Sequence, residues 1–459
     1  MTSSMRSNTS VRLGAGAGFW GDALDPALEL AERGGLHYLC FDFLAELTMS
    51  LLQRVRAKDP NLGYVPDMVS WFSELAEPAR ASGTTLVCNG GGVNPRAGAQ
   101  ALANSLRAKG VVGRKIGVVG GDDVLSRLQE FRNAGVKLSH MTTGEDGFDR
   151  IKSKVVSANV YLGSDGIIEA LGAGSEIVVT GRVTDSALFI GPAMHRLGWG
   201  FDQPDRVASA ITVGHILECA SGCTGGMSSR FDEMPRMGEV GFPIAEITGD
   251  GTATISKLAG TGGRVDSFTV KEHLVYEIGD PRGYTTPDGT ADFTAPKIED
   301  ADVDAVRVSG MRGRSRPDHF KLLIGYSDGW IGEGLLMFPW PRALARARKA
   351  EETLRERFKR LNLVSSAISF DYVGVNMLHG PAAPWPEKDD LNEVGLRVAV
   401  KTASRDEAEK VRRACSQMWI MGPGGTSFGA PMKPRPTLAL WPTLVPRELV
   451  SHSVEYLES

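Results

Sequence analysis

The residues with the greatest chemical potential in this sequence are acidic and stand beside glycine. Asp42 closes the apolar run LHYLCFD (36–42), and Glu46 follows four residues later. Asp122 and Asp123 come directly after Gly120-Gly121, and TGRVTDS (180–186) carries Arg182 and Asp185. Two positioned carboxylates suffice for general acid–base work next to a carbonyl. An arginine fork can clamp a carboxylate or phosphate through two parallel hydrogen bonds. Arg182 and Asp185 are three residues apart, so a structural ion pair is an equal reading. One of Asp122 and Asp123 is expected simply to cap the helix that follows. The turn Asn89-Gly90-Gly91-Gly92, with Asn94 close behind, holds more glycine than a turn needs, and each glycine costs chain entropy. The expected return is close backbone approach to a ligand. The amides of Gly90, Gly91, Gly92 and Gly121 are expected to meet its anionic end, with Asn89 and Asn94 beside them.

Gly16-x-Gly18-x-x-Gly21 follows a β-type run, and Asp42 ends the next one. This matches a dinucleotide-binding fingerprint in form, with Gly16 and Gly18 against the ligand. The helical pattern starts only at Asp25-Pro26, too late for the third glycine to lie at a helix–strand contact, so a tight turn is the competing reading. His215 and Glu218 in GHILEC share a helix face. They read either as a metal pair or as a hydrogen-bonded core histidine beside a solvated glutamate. No G-x-S-x-G elbow, P-loop, HExxH or paired CxxC motif occurs, which removes the classical serine hydrolase, nucleoside triphosphatase and zinc protease readings. No metal site and no particular cofactor is implied.

The elements that must position these residues repeat one pattern. Apolar β-rich runs end in glycine or small polar clusters, and amphipathic stretches follow. VRLGAG (11–16), LHYLCFD (36–42), TTLVC (84–88), RKIGVVG (114–120), SANVYLG (157–163) and SEIVVTG (175–181) read as strands. DPALELAERGG (25–35), 43–58, 95–110, 122–135 and 183–199 read as helices. Such alternation implies an α/β fold with a Rossmann-like parallel sheet and helices on both faces. Ligands of such sheets bind at the carboxyl ends of the strands, where the acidic and glycine-rich turns fall. The C-terminal part differs. A hairpin is expected at Asp250-Gly251 and another at Asp328-Gly329. Helices 342–361 and 405–420 with strands 367–378 and 394–404 complete a smaller α+β (β-β-α-β-β-α-like) domain. The expected organisation is a disordered 1–10, a Rossmann-like ligand-binding domain over 11–240, a β-rich and partly irregular connection over 241–317, and the α+β domain over 318–459.

Composition supports a folded enzyme-sized chain. Of 459 residues, 55 are glycine, well above the usual share of about 7%. The apolar content of 42% is too high for a disordered chain. Lys plus Arg is 51 and Asp plus Glu is 55, a net charge of −4, which supplies no reason to expect nucleic acid or an anionic membrane as partner. No stretch of about 18 apolar residues occurs, and the N-terminus lacks the apolar core of a secretory signal. Cys40, Cys88, Cys219, Cys223 and Cys415 are odd in number and read as reduced thiols, so a cytoplasmic location is expected.

Taken together, GAGAGFWGDALDPALELAERGGLHYL (14–39), LAELT (44–48), NGGGVNPRAGAQAL (89–102), VVGGDDV (118–124), TGRVTDSAL (180–188), GHILECASGCTGG (214–226), GFPIAEI with DGTATISK (241–257) and VKEHLVYEIGDPRGYTTPD (270–288) resemble the acyclic terpene utilisation AtuA family. The likeness runs collinearly over residues 11–330. It implies catabolism beside enzymes that process acyl-CoA thioesters, and it names no reaction. The chain departs from the family pattern at Asp42-Phe43, where Glu-Cys is usual, and at Gly92-Val93, where alanines are usual. Both departures lie on the expected ligand edge, so the substrate is not carried over with the family. The reading is a catabolic enzyme acting on a branched carboxylic acid or its CoA thioester. The expected reaction is hydration, dehydration or isomerisation, with Asp42, Glu46, Asp122 and Asp185 as acid–base groups and Arg182 on the substrate carboxylate. The alternatives are a dinucleotide-dependent oxidoreductase and a non-catalytic subunit of a small operon-encoded complex. A homo-oligomer is expected, with a small accessory protein as a further partner.

Overall fold

The computed structural model describes residues 10–429 and 432–459. They form two compact units, one reaching to Gly325 and including Leu440–Ser459, the other spanning Tyr326–Ala439. The first unit begins with β1 (Ser10–Ala17), α1 (Asp25–Arg33), β2 (Tyr38–Phe41), α2 (Thr48–Arg56), α3 (Pro66–Ser82), β3 (Thr85–Cys88), α4 (Pro95–Ala108) and β4 (Lys115–Gly120). It continues with α5 (Leu128–Asn133), α6 (Phe148–Ile151), β5 (Val155–Val160), α7 (Asp165–Gly172), β6 (Ile177–Thr180), α8 (Ala187–Leu197) and α9 (Pro204–Glu218). Then come β7 (Pro243–Thr248), β8 (Ala253–Lys257), α10 (Ser267–Leu274), β9 (Tyr284–Thr286), β10 (Gly289–Asp292), β11 (Lys297–Asp302), β12 (Ala305–Ser309) and β13 (Arg312–Arg314). The chain leaves this unit within β14 (His319–Pro339). The second unit adds α11 (Ala343–Arg360), β15 (Ala367–Val373), β16 (Glu393–Thr402), α12 (Arg405–Met421) and β17 (Ser427–Phe428). The chain returns through β18 (Arg435–Pro446) and ends with β19 (Ser453–Glu458).

The protein is a mixed α/β fold. Its main sheet runs β11-β12-β8-β7-β1-β2-β3-β6-β4-β19. The central strands β1, β2, β3, β6 and β4 are mutually parallel. β2 and β6 are buried along their whole length, the pattern of strands covered on both faces. α1 packs on α3 and α3 on α4, while α7 packs on α8 and α8 on α9.

The sheet is not wholly parallel as expected. β7 joins β1 antiparallel, and β8 closes a hairpin on β7 at Asp250-Gly251, as its sequence implies. The connection is too short for the crossover that a parallel neighbour requires. The 241–317 region therefore extends the main sheet through β7, β8, β12 and β11. β5, expected in the sheet, pairs with β14 instead. Residues 1–9 lie outside the described residues, whereas Ser10, expected to be disordered with them, is the first residue of β1 and pairs with Thr248.

In the second unit β16 lies between β15 and β14, antiparallel to both. Leu336, Phe338, Leu354, Phe358, Val398 and Met418 belong to its core. The hairpin expected at Asp328-Gly329 does not form. β14 runs straight through, because residues 330–339 pair along β16 and Lys401 holds the Asp328 carboxylate.

The last strand is also a departure from the expected C-terminal domain. β19 pairs antiparallel with β4 from Ser453–Gly120 to Glu458–Lys115 and covers that edge of the main sheet. An uncovered parallel edge is a template for aggregation. A chain ended after Val450 is therefore expected to lose several kcal/mol of stability in urea denaturation and to aggregate on size-exclusion chromatography. Unchanged behaviour would show that β19 is dispensable.

Candidate functional site

Four neighbouring strand ends meet at the carboxyl edge of the parallel sheet. β1 leads into Gly18, β2 into Asp42, β3 into Asn89 and β6 into Gly181-Arg182. The Asp42 amide donates to the Ala17 carbonyl at 3.0 Å, tying the first two ends together. Asn89 Nδ2 donates to Asp42 Oδ1 at 2.6 Å, and Asn89 Oδ1 accepts from the Phe43 amide at 2.8 Å. The Leu44 amide donates to Asp42 Oδ1 at 3.0 Å. The helix expected over 43–58 starts only at Thr48. The Leu44 carbonyl, which a helix from residue 43 would offer to the Thr48 amide, accepts from Arg182 instead, and that amide turns to the Ala45 carbonyl at 3.0 Å.

The segment shaped in this way receives Arg182. Its guanidinium is buried, 1% exposed. Nη1 donates to the Leu44 carbonyl at 2.6 Å and Nη2 to the Asp185 carboxylate. One face of the guanidinium lies 4.1 Å from the Tyr161 ring centre. The clamp expected of Arg182 on a substrate carboxylate is therefore spent within the protein, and Arg182 positions Asp185 and residue 44. Asp42 is buried, whereas the Asp185 side chain is 37% exposed. Burial pushes the Asp42 proton affinity well above the usual carboxylate range, and the nearby Asp185 pushes it further. Arg182 and Asn89 only partly oppose this. Burial likewise raises the Tyr161 phenol.

Buried polar atoms without a hydrogen-bond partner concentrate here. They include Tyr161 Oη, Arg182 Nε, Thr184 Oγ1, Ser186 Oγ, His215 Nε2 and Glu218 Oε2. Such atoms are rare in folded proteins and mark strain or a site.

The other candidates fall elsewhere. Glu46 is exposed and pairs with Lys321 at 2.6 Å, whose ammonium lies 4.7 Å from the Tyr161 ring centre. Asp122 is buried behind the β6 end and accepts from Asn159 Nδ2 at 2.9 Å. Burial lifts its pKa to about 6. Asp123 accepts from the Leu125 amide at 3.2 Å and from Arg56 at 3.1 Å, but the helical turn that follows has Val124 at its N-cap and no side-chain cap, so the simple capping role expected of one member of the pair is not seen.

The glycines serve packing. Gly16 abuts the Phe41 ring, and a Cβ on Gly18 would lie 2.8 Å from the Cys219 carbonyl carbon. The face that the second glycine of a dinucleotide fingerprint offers to a pyrophosphate is thus filled by backbone. The expectation for the Asn89–Gly92 turn is also corrected. The Gly91 amide donates to the Thr180 carbonyl and the Gly92 amide to the Asn89 carbonyl, both at 3.1 Å. The Gly90 amide reaches the Cys88 thiol. A Cβ on Gly91 would lie 2.6 Å from both the Thr180 oxygen and Pro95 Cβ. Asn94 Nδ2 binds the carbonyls of Pro60 and Leu62, each at 2.9 Å. Gly121, with φ +101, packs on the Ser451 carbonyl. The triple glycine lets chain segments approach each other closely, and its amides are occupied.

The sequence model for the acyclic terpene utilisation family protein AtuA matches residues 11–456. The chain belongs to this AtuA family. No curated protein and no solved structure matches it.

In this AtuA-family chain a second group at the same edge was undervalued by sequence. His215 Nδ1 lies 2.9 Å from Glu218 Oε1 on α9, and Glu218 is 8% exposed rather than solvated. The His215 ring packs 5.0 Å from Tyr284 and 5.2 Å from Phe293, centre to centre. The i, i+3 spacing was the available signal. Tyr161 and Tyr284 had no such spacing signal. Among the described residues no group of three His, Cys, Asp or Glu side chains could hold a metal ion, and all five cysteines are free. No helix among the described residues is long and apolar enough to cross a membrane.

Asp122 supplies a test of site electrostatics. Its pKa rises from the usual 3.8 to about 6 in the fold. Between those values the folded chain holds one more proton than the unfolded chain, so stability falls as pH rises and levels off above about 6. Asp122→Asn removes this titration. From about pH 4.5 to about pH 7.5, urea unfolding is expected to shift the stability difference by about 2 kcal/mol in favour of the variant. A pH-independent difference would show that Asp122 titrates normally.

Proposed function

We propose that this AtuA-family protein is an acid–base enzyme acting on a branched carboxylic acid or its CoA thioester, as a hydro-lyase or isomerase. The supporting observation is the closeness of two unlike carboxyl groups, Asp42 and Asp185, of which only Asp185 pairs with the buried Arg182 guanidinium. Asp42 is enclosed and held towards its protonated form, while Asp185 is half-exposed on Arg182. Carboxyl groups whose surroundings push their proton affinities apart divide into acid and base. In a dehydration, Asp185 takes the proton from the carbon next to the carbonyl, and Asp42 gives its proton to the departing hydroxyl, which leaves as water. In the reverse direction both transfers invert. The Rossmann-like description of the sheet fits this reading, because ligands of such sheets lie at the carboxyl ends of parallel strands. The oxidoreductase alternative has less support, since Gly18 faces the Cys219 backbone.

The test is turnover on a panel of branched enoyl-CoA and hydroxyacyl-CoA thioesters, followed by the ultraviolet absorbance of the enoyl thioester. On a converted substrate, Asp42→Asn and Asp185→Asn are each expected to lower kcat by about 100-fold or more, with a lowered thermal midpoint in Asp185→Asn, where the buried Arg182 loses its carboxylate partner. Full turnover by both variants overturns the assignment.

A further inference from the structure

The last turn of α9 is wedged into the strand-end site. A Cβ on Gly214 would lie 2.9 Å from the Ser186 carbonyl oxygen, one residue past Asp185, and Gly18 at the end of β1 abuts the Cys219 backbone. Glu218, between these contacts, is therefore brought beside the Asp185 turn. One of its oxygens is engaged by His215 at 2.9 Å, and the other, Oε2, is buried without a partner. A buried carboxylate oxygen lacking a donor is costly. Such an oxygen can be satisfied only by an O–H or N–H group.

We propose that Glu218 Oε2, oriented by His215, accepts a hydrogen bond from a hydroxyl of the substrate, so that the substrate is a hydroxy acid or hydroxyacyl thioester. This inference rests on the acid–base reading and deepens it, because a hydroxyl is the group that a hydro-lyase expels. The environment is consistent. Burial raises the proton affinity of Glu218, His215 opposes this, and Asp185 and Glu277 add to it. Burial disfavours the charged form of His215, but Glu218, the Leu274 carbonyl and Glu277 outweigh it and lift the imidazole net. His273, its other titratable neighbour with Tyr284, is pushed down to about 4 by burial and by His215. The pair is thus a carboxyl group and an imidazole in hydrogen-bond contact, each with its proton affinity raised. Glu218 is the contacting group and His215 the positioning residue.

The full-length protein is titrated calorimetrically with 3-hydroxy-3-methylbutanoyl-CoA and with 3-methylbutanoyl-CoA, which lacks only the hydroxyl. Wild type is expected to prefer the hydroxylated ligand by at least about tenfold. Glu218→Ala, checked for an intact thermal midpoint, is expected to bind both equally. His215→Gln removes the group that opposes the rise in Glu218 proton affinity, so its preference is expected to set in at higher pH than in wild type. A merely structural histidine would leave the ratio and its pH dependence unchanged. Equal affinity in wild type, failure of both ligands to bind, or a preference that survives in Glu218→Ala overturns the proposal. If the preference behaves as expected while Asp42→Asn and Asp185→Asn turn over fully, the acid–base assignment falls and the hydroxyl subsite stands.

Discussion

A guanidinium taken out of water must be matched on several sides at once, and the arrangement around Arg182 follows from that requirement. Leaving a buried cation incompletely paired costs several kcal/mol. Here the Leu44 carbonyl, the Asp185 carboxylate and the Tyr161 ring supply most of the match, and Nε is left without a partner. They come from three separate stretches of chain, which meet only if the ends of β2, β5 and β6 are correctly placed. Asn89 adds the end of β3 by fixing Asp42 and the Phe43 amide. The non-helical course of 42–47 goes with the Leu44 carbonyl being held by Arg182 rather than by the Thr48 amide.

The low-polarity setting that makes Arg182 demanding also separates the acids. Asp42 is buried and shares its surroundings with Asp185. Glu218 is in a similar position but has His215 beside it. Burial raises the proton affinity of both. The third carboxyl group at this edge, Asp185, differs from them in exposure and in being paired with Arg182.

Much of the first unit was legible because its code is local. Apolar runs ending in glycine marked β1, β2, β3, β4 and β6, and Asp250-Gly251 marked its hairpin. Charged residues at strand ends drew attention to Asp42, Arg182 and Asp185, which the fold brings to one edge. What could not be read depended on distant partners. Asp328-Gly329 carries a turn signal, but the pairing of 330–339 with β16 overrides it. The glycine clusters fall at the strand ends for a different reason than expected. Gly91 and Gly18 are small so that protein can pass close to protein, and a single sequence does not distinguish that from room for a ligand. Glu218 looked solvated because burial by the chain beyond residue 270 leaves no mark on α9 itself.

The placement of β19 has a consequence for biosynthesis. The strand that seals the β4 edge comes from residues 453–458, which are translated only after the whole of Tyr326–Ala439. During synthesis the parallel strands can assemble behind the ribosome, but one side of their sheet stays open until those residues emerge. Nascent protein therefore passes through an interval in which β4 is available to strangers, and chaperone dependence is set by how long the intervening second unit takes to be made.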